Sequence, residues 1–173
     1  MKTLVIYKSK TGFAKKYAKW IAAELSADIF DVSKVNTNML TAYDTVIYGG
    51  GLYAVGINGV KYITKNIDKL KDKRVVVFAT GASPFREDAI SEVRDKNFSS
   101  EQQKYIQFFY LRGGFDFSKL KPFYKVIMTL LKWKLKIKKE LTPDERGMLV
   151  SYDNPVDFAR RENIDKIITY VNS

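Results

Sequence analysis

Short runs of apolar and β-branched residues recur along the chain and alternate with segments of helical periodicity. The runs occupy residues 3–7, 29–32, 45–48, 75–79 and 105–111. After the first run, apolar side chains recur every three or four residues, which predicts a helix over 12–25. A similar stripe predicts a helix over 58–70, and Ser83 is expected to cap another over 84–93. The last helical region is expected to open at 153–155.

The alternation of strands and helices defines the predicted fold. The strand runs are too uniformly apolar for a sheet with one solvated face, so a parallel sheet covered on both faces is expected. Five strands fit the order 2-1-3-4-5 of a doubly wound sheet. We therefore predict a three-layer α/β fold with a five-stranded sheet. A single domain over 1–173 is expected, because the chain has 173 residues and 46% of them are hydrophobic.

Composition limits both the location and the chemistry of the protein. No stretch of about 18 uninterrupted apolar residues is present, so no membrane-spanning helix is predicted. The first apolar run is too short for the core of a signal peptide, and a cytoplasmic protein is expected. The chain has no cysteine and no histidine, which excludes disulfides, thiolate nucleophiles, imidazole bases and the usual zinc sites. Demanding chemistry is therefore expected from carboxylates, lysines, tyrosines or a bound organic cofactor.

A polar loop, residues 9–12 (Ser-Lys-Thr-Gly), follows the first predicted strand and opens the first helix. In an open parallel sheet, ligands bind beyond the carboxyl ends of the strands at the point where the strand order reverses. The free N–H groups and the dipole of the helix N-terminus suit an anion there, and Gly12 permits close backbone approach. Lysines surround this first loop, and no acidic residue precedes Glu24. The loop is therefore predicted to bind a phosphate group.

Other phosphate-binding motifs do not describe this loop. A Walker A loop requires G-x-x-x-x-G-K-[ST], and a dinucleotide fingerprint requires G-x-G-x-x-G after the first strand; neither is present. A phosphoacceptor receiver domain would have aspartates near the end of strand one or three, but the third strand is followed by glycines. A plain turn that caps a helix remains an alternative.

Two further loops at the same sheet edge indicate what lies beyond the phosphate. The second loop, residues 49–56, reads Gly-Gly-Gly-Leu-Tyr-Ala-Val-Gly, and the third, residues 80–83, reads Thr-Gly-Ala-Ser. Small residues let backbone amides reach a flat ring and its carbonyl groups, and Tyr53 can stack on such a ring. A phosphate beside a flat polar heterocycle describes flavin mononucleotide (FMN).

The first loop also carries a family resemblance. Flavodoxins have a first loop of the form [TS]-x-T-G-x-[TA], and residues 9–14, Ser-Lys-Thr-Gly-Phe-Ala, match every defined position. The sequence therefore resembles the flavodoxins, which implies a flavodoxin-like fold with residues 9–14 around the FMN phosphate. The resemblance also implies that 50–54 and 80–82 border the isoalloxazine ring. The tryptophan that often stacks on the flavin is missing here, which leaves Tyr53 or Leu52 in its place.

The chain is strongly basic, with a formal net charge of +11, whereas flavodoxins that serve soluble partners are typically acidic. Residues 119–139, from Lys119 to Lys139, contain eight lysines and no acid. Their apolar residues first follow a helical stripe, with Pro122 tolerated in its first turn. From Lys132 the pattern alternates strictly, which is consistent with an edge strand or with a helix end lying on an anionic bilayer. A surface segment packed on the domain is the third alternative.

The segment after the fifth strand refines the resemblance. Residues 109–139 resemble the long basic insertion of the flavodoxin-like branch that includes menaquinone-dependent protoporphyrinogen oxidase, and we assign the insertion to 112–150. Residues 157–171 resemble the last helix of that branch. Arg112 follows the fifth strand at the ligand edge. There it is expected to reach the flavin rim or an anionic substrate, or else to form a surface salt bridge.

These observations leave three functions open. The protein is expected to be an electron carrier that uses bound FMN, an oxidoreductase that acts on a quinone or tetrapyrrole at a membrane surface, or a non-redox module that binds a phosphorylated metabolite. A redox partner protein and peripheral contact with an anionic membrane through 119–139 are expected, but no nucleic acid, because the aromatic residues occupy core positions. The candidate cofactor-binding residues are Ser9, Lys10, Thr11, Gly12, Phe13, Ala14, Gly50, Gly51, Leu52, Tyr53, Ala54, Thr80, Gly81, Ala82 and Arg112.

Overall fold

Apolar runs and helical stripes form alternating strands and helices in the computed structural model, which describes residues 1–173. The strands are β1 (Thr3–Lys8), β2 (Asp28–Asp31), β3 (Thr45–Tyr53), β4 (Gly56–Ile57), β5 (Arg74–Gly81), β6 (Ile106–Arg112), β7 (Gly114–Phe115) and β8 (Val156–Asp157). The helices are α1 (Phe13–Glu24), α2 (Thr37–Thr41), α3 (Lys61–Thr64), α4 (Glu87–Asn97), α5 (Pro122–Ile137), α6 (Pro143–Asp153) and α7 (Asp165–Asn172).

The central sheet has the predicted topology. Its parallel strands lie in the order β2-β1-β3-β5-β6, which is the order 2-1-3-4-5 when only these five strands are counted. The register runs across the sheet from Leu4 to Val46, from Val46 to Val75 and from Val75 to Ile106. The short strand β4 pairs antiparallel with the end of β3 and forms a hairpin there. The third strand is therefore longer than predicted and includes much of the second loop.

The sheet separates two hydrophobic cores, as the uniformly apolar strands require. Leu4 and Ile6 point to the core that α2, α3 and α4 cover, whereas Val5 between them points to the core that α1 and α7 cover. Helix α1 contributes its fully buried Tyr17 and Ile21 to the second core. The predicted three-layer arrangement is confirmed.

Three predicted helix starts or extents were wrong. The stripe over 58–70 forms only α3 and a single 3-10 turn, because Asn66 turns its side-chain amide back to the carbonyl of Tyr62 (2.8 Å). Ser83 caps no helix: α4 begins at Glu87, and the Ser83 carbonyl accepts the Tyr110 hydroxyl at 2.7 Å. Asp153 ends α6, Asn154 and Pro155 lead into β8, and α7 starts only at Asp165.

The segment after β6 forms β7, α5 and α6, and then β8, which pairs antiparallel with β7. Helix α5 runs without a break to Ile137, so the alternating lysine segment is a helix end and the edge-strand alternative was wrong. Pro122 occupies the first turn of α5, as expected. Helix α6 begins with a capping box between Thr142 and Glu145. We call α5 and α6 together the cover.

Side chains of α6 hold the two helices of the cover together. The buried Tyr152 donates its hydroxyl to the Met128 carbonyl at 2.7 Å. Its ring packs between the rings of Phe115 and Phe117, whose centroids lie 5.3 and 5.4 Å away. At the surface, Lys132 pairs with Asp153 (2.9 Å) and Lys138 with Glu145 (2.8 Å). Exposed pairs of this kind contribute little, so the buried tyrosine is the main polar contact.

Tyr152→Phe is expected to lower the free energy of unfolding by about 1 kcal/mol, because it removes one intramolecular hydrogen bond and leaves the ring contacts in place. Tyr170→Phe is the matched control, since the Tyr170 ring packs on Phe109 but its hydroxyl donates no hydrogen bond. Urea unfolding of the two variants measures the difference. Equal stability of the two variants would contradict the role of the Tyr152 hydroxyl.

Candidate functional site

Three loops meet at the carboxyl edge of the sheet, because β1, β3 and β5 are neighbours and run in parallel. Between these loops and the cover lies a cavity of about 650 Å³, with a mostly hydrophobic lining. Ligand sites of soluble proteins commonly have volumes of about 300–1,000 Å³. This cavity therefore has the size and position of a ligand site.

The first loop presents unpaired backbone donors at the start of α1. The Gly12 N–H donates to the Ser9 hydroxyl at 3.1 Å, and the Gly12 carbonyl accepts from Lys16 N–H at 2.9 Å. The N–H groups of Phe13, Ala14 and Lys15 donate to no protein atom, and no acidic residue lies in the first turn. This arrangement is suited to an anion, because free N–H groups and the positive end of the helix dipole act together.

Gly12 has the backbone conformation that favours glycine. Its φ is +98°, in the left-handed region that side chains with a Cβ disfavour. A Cβ at this position would meet no atom within 4 Å, so the space above the loop is open. A Cβ at residue 12 would therefore lie in open space at the start of α1, the helix whose first N–H groups are free.

Lys10 links the first loop to the second loop and to α5. Its ammonium group donates to the Tyr124 hydroxyl and lies 3.7 Å from the centroid of the same ring. It also lies 4.6 Å from the Tyr53 ring centroid, and the two tyrosine rings are 5.2 Å apart. Burial, with a smaller contribution from the neighbouring Tyr124, raises the pKa of Tyr53 to about 12. Tyr53 therefore stays protonated at neutral pH and can act as a hydrogen-bond donor.

The third loop is fixed by residues at the end of β6. The N–H of Gly113 donates to the Gly81 carbonyl at 2.7 Å, and the Arg112 Nε donates to the Ala82 carbonyl at 3.3 Å. The Tyr110 hydroxyl donates to the Ser83 carbonyl at 2.7 Å and holds the far end of the loop. Burial raises the pKa of Tyr110 to about 12, although the positive charge of Arg112 opposes the increase.

The cover forms an apolar wall opposite the loops. The side chains of α5 and α6 that line the cavity are Tyr124, Ile127, Met128, Leu131 and Met148. Leu52 and Val55 of the second loop and Ile90 of α4 lie on other walls of the cavity. Because thioether and aliphatic groups offer no hydrogen bonds, this part of the cavity suits an apolar or aromatic group.

Two ion pairs join the segment that contains the cover and β8 to the rest of the domain. Lys16 of α1 pairs with Asp157 of β8 at 2.8 Å, and Arg86 pairs with Asp144 of α6 at 3.2 Å. Burial alone would raise the pKa of Asp157, but hydrogen bonds from Lys16 and from the Ala159 N–H outweigh burial and lower that pKa. The Asp157 contact therefore persists at neutral pH and weakens as the pH falls through the lowered pKa.

A smaller recess of about 340 Å³ lies beside the first loop. Thr11, Gly12 and Lys16 form one side of it, and Asp116 and Lys119 form another. Lys119 pairs with Asp116 at 3.2 Å, so the recess combines backbone donors with two lysines that already have carboxylate partners. It extends the polar end of the site away from the apolar wall.

The structure brings most of the predicted residues together. Thr11 and Phe13 of the first loop line the main cavity together with residues 51–54 and 80–82, and Gly12 lines the recess. The remaining predicted residues, Ser9, Lys10, Ala14, Gly50 and Arg112, line neither space. Lys10 nevertheless contacts the lining tyrosines.

Arg112 ends β6 at the ligand edge, as expected, and its side chain contacts the third loop and an aromatic ring. Its guanidinium group stacks on the Phe158 ring at 3.7 Å from the centroid and pairs with no carboxylate. The cavity residues that the sequence-based list lacked come chiefly from the cover, namely Tyr124, Ile127, Met128, Leu131 and Met148. In the sequence, only the apolar stripe of α5 indicated that these residues are buried. A stripe predicts that one helix face packs against something, but it does not identify the surface that covers this face.

Comparison with known protein families agrees with this geometry. The sequence model of the flavodoxin domain family matches residues 4–142, which is most of the chain. The chain belongs to the flavodoxin domain family. The match covers the five parallel strands except Thr3, the first residue of β1, and the whole of α5.

Individual relatives of this flavodoxin-domain protein are distant. The uncharacterized protein MJ0298 of Methanocaldococcus jannaschii is 37% identical over 100 residues, which cover 56% of this chain and 65% of that protein. The chain thus matches less than two thirds of the length of that relative. General stress protein 14 from Treponema denticola, solved in complex with FMN, has a TM-score of 0.50 and 10% identity over 65% of this chain and 87% of its own. Flavodoxin 2 from Bacillus cereus gives a TM-score of 0.47 and 17% identity over 65% and 84% of the two chains.

Proposed function

We propose that this flavodoxin-domain protein binds FMN and functions in electron transfer. The observation that carries the proposal is the set of three free N–H groups at the start of α1, beside an apolar cavity of about 650 Å³ at the switch point of the sheet. Membership of the flavodoxin domain family and the FMN complex of the Treponema denticola protein support the same ligand. When bound, FMN supplies the redox chemistry that the side chains of this protein lack.

The residues present fit the chemical groups of FMN. The first loop would hold the phosphate through the N–H groups of residues 13–15 and the hydroxyls of Ser9 and Thr11. Residues 51–54 and 80–82 would border the flat ring, since small residues there leave backbone groups accessible. Chain residues therefore bind and orient the cofactor, and the cover excludes water from its apolar side.

An oxidoreductase of a quinone or a tetrapyrrole, related to the protoporphyrinogen oxidase branch, is a second candidate. The apolar wall of Met128, Leu131 and Met148 favours it, because such side chains suit an apolar or aromatic substrate beside the flavin. Arg112 does not line that cavity, so the proposed contact with a substrate carboxylate has no support in its position. An electron carrier that exchanges electrons with a protein partner is the first candidate.

The visible absorption spectrum of the purified protein tests FMN binding, with FMN added if the protein is colourless. We expect flavin bands that stay with the protein through gel filtration, and one FMN per chain by titration. A protein that remains colourless and does not bind added FMN would overturn the redox proposal. The same protein would then be titrated with ribose phosphates, because the third function, a non-redox metabolite-binding module, predicts binding of phosphate esters alone.

A further inference from the structure

The outward face of α5 is apolar and has no partner in the structure. Six of its large side chains are between 45% and 82% exposed, namely Phe123, Val126, Ile127, Leu130, Trp133 and Ile137. At about 100° per residue they fall within an arc of about 120° on one side of the helix. Contiguous exposed apolar surface of this kind is rare on soluble proteins and marks an interaction site.

Unpaired positive charges lie within this face and near it. Lys121, Lys134, Lys136 and Lys139 are exposed and form no ion pair, and no acidic residue lies between 119 and 139. Lys132 and Lys138 instead pair with carboxylates of α6. The charge beside the apolar face is therefore positive and uncompensated, which specifies an anionic partner.

We propose that the outward face of α5 binds the surface of an anionic lipid bilayer, with the helix lying parallel to the membrane plane. The 16 residues of α5 span about 24 Å at 1.5 Å per residue, and no helix in this protein is long and apolar enough to cross a bilayer. The apolar side chains enter the boundary of the acyl chains, Trp133 lies at the interface, and the lysines extend to the headgroups.

Charge complementarity favours a lipid surface over two other partners for this face, namely a second copy of the chain and an acidic protein. A second copy of the chain seated on this face would bring two sets of unpaired lysines together without a carboxylate between them. An acidic protein partner would satisfy the lysines, but a bilayer satisfies both the lysines and six aliphatic or aromatic side chains without a shaped counterpart. The inference does not depend on FMN, since it concerns the outside of the cover.

Helix α5 lies between the cavity and the surface that we propose binds lipid. Tyr124, Met128 and Leu131 on the inner side of the helix line the cavity, while Leu130 and Trp133 face outward. Ile127 belongs to both sides, because it lines the cavity and is 45% exposed. A single helix therefore separates the cavity from the proposed lipid surface.

Sedimentation with vesicles tests the proposal on the full-length protein. We expect binding to vesicles of phosphatidylglycerol and phosphatidylcholine that is at least tenfold tighter than to phosphatidylcholine alone, and that weakens at high salt. Leu130→Ser with Trp133→Ser should reduce binding at least tenfold. Phe85→Ser with Val150→Ser is the matched control, because those side chains are 65% and 60% exposed but lie outside α5. Equal binding of wild-type protein to both vesicle types would overturn the proposal.

Two double variants distinguish the effect of positive charge on α5 from the effect of the net charge of the whole protein. Lys134→Glu with Lys136→Glu should weaken binding at least tenfold, whereas Lys65→Glu with Lys69→Glu, which makes the same change in net charge from exposed positions near α3, should change it less than twofold. Similar losses in the two variants would mean attraction by net charge alone and would contradict a specific face.

Trp133 reports directly on its own environment. The chain has two tryptophans, so Trp20→Phe leaves Trp133 as the only one. Its emission should shift to shorter wavelength with anionic vesicles and be quenched by brominated lipids. Unchanged emission while the protein sediments with vesicles would place the contact elsewhere. A concentration-dependent dimer that Leu130→Ser abolishes would assign the face to self-association instead.

Discussion

Gly12→Asp is expected to weaken FMN binding at least 100-fold while the protein stays folded. The carboxylate would enter the open space in front of the N–H groups of Phe13, Ala14 and Lys15, where we propose that the phosphate binds. It would occupy those donors and repel the phosphate, and a 100-fold loss corresponds to about 2.7 kcal/mol. No steric clash is expected, because a Cβ at residue 12 meets nothing within 4 Å.

Three further variants isolate the charge from other effects. Gly12→Ala introduces the same conformational strain at a φ of +98° without the carboxylate, and it should weaken binding much less. Thr11→Glu should reproduce the loss from a neighbouring position. Gly147→Asp is the matched control on α6, since a Cβ there also meets no atom within 4 Å. FMN titration followed by flavin fluorescence measures binding, and circular dichroism checks the fold. Retained FMN binding in Gly12→Asp would exclude the first loop as the phosphate site.

Lys10→Glu is expected to lower the midpoint potential of the bound flavin by several tens of millivolts. Reduction adds negative charge to FMN, so positive charge beside it favours the reduced form. Acting over about 10 Å at an effective dielectric constant of about 20, one charge contributes about 1.7 kcal/mol, or roughly 35 mV for a two-electron couple. Lys10→Gln should therefore shift the potential by about half as much as Lys10→Glu. The potential of the wild-type protein is expected to be higher than that of acidic flavodoxins.

Two control variants distinguish the charge of Lys10 from two other effects on the potential: the loss of its contact with the cover, and the change in net charge. Tyr124→Phe removes the hydroxyl that Lys10 contacts but keeps the lysine charge, so it should leave the potential nearly unchanged. Lys65→Glu makes the same change in net charge as Lys10→Glu, but from an exposed position at the end of α3. It should shift the potential by less than about 10 mV, because salt and water screen the charge of an exposed residue outside the site. Potentiometry with redox dyes measures each variant. Equal potentials for Lys10→Glu and Lys65→Glu would contradict a local electrostatic effect.

The order of elements and the three loops could be predicted because both depend on short-range patterns. Uniformly apolar runs such as Val75–Val77 require cover on both faces, and that requirement favours a parallel sheet. The carboxyl ends of parallel strands then share one edge, so the loops after β1, β3 and β5 had to meet. For the same reason, Thr11, Tyr53 and Thr80 could be assigned to one site although they are far apart in the chain.

Some contacts could not be predicted because the partner lies far away in the sequence. Arg112 stacks on Phe158, 46 residues later, and nothing near Arg112 indicates that ring. The Ser83 carbonyl accepts a hydrogen bond from the hydroxyl of Tyr110, which lies 27 residues later in the chain, and α4 begins only at Glu87. The local signals of Ser83 and Pro84 contain no information on that distant contact.

Helix α5 shows most clearly which structural features local sequence patterns predict and which they do not. Periodicity and the place of Pro122 are local properties, and they predicted a lysine-rich helix that begins near Pro122. They left residues 132–138 open between a helix end and an edge strand, and they gave no partner for the apolar stripe. The packing of the folded chain makes 132–137 the end of the same helix, with Met128 and Leu131 at the cavity and Leu130 and Trp133 exposed to solvent. Apolar side chains lose their contact with water only where another surface covers them, and here that surface comes from the second and third loops, which precede α5 in the chain but lie far from it in sequence.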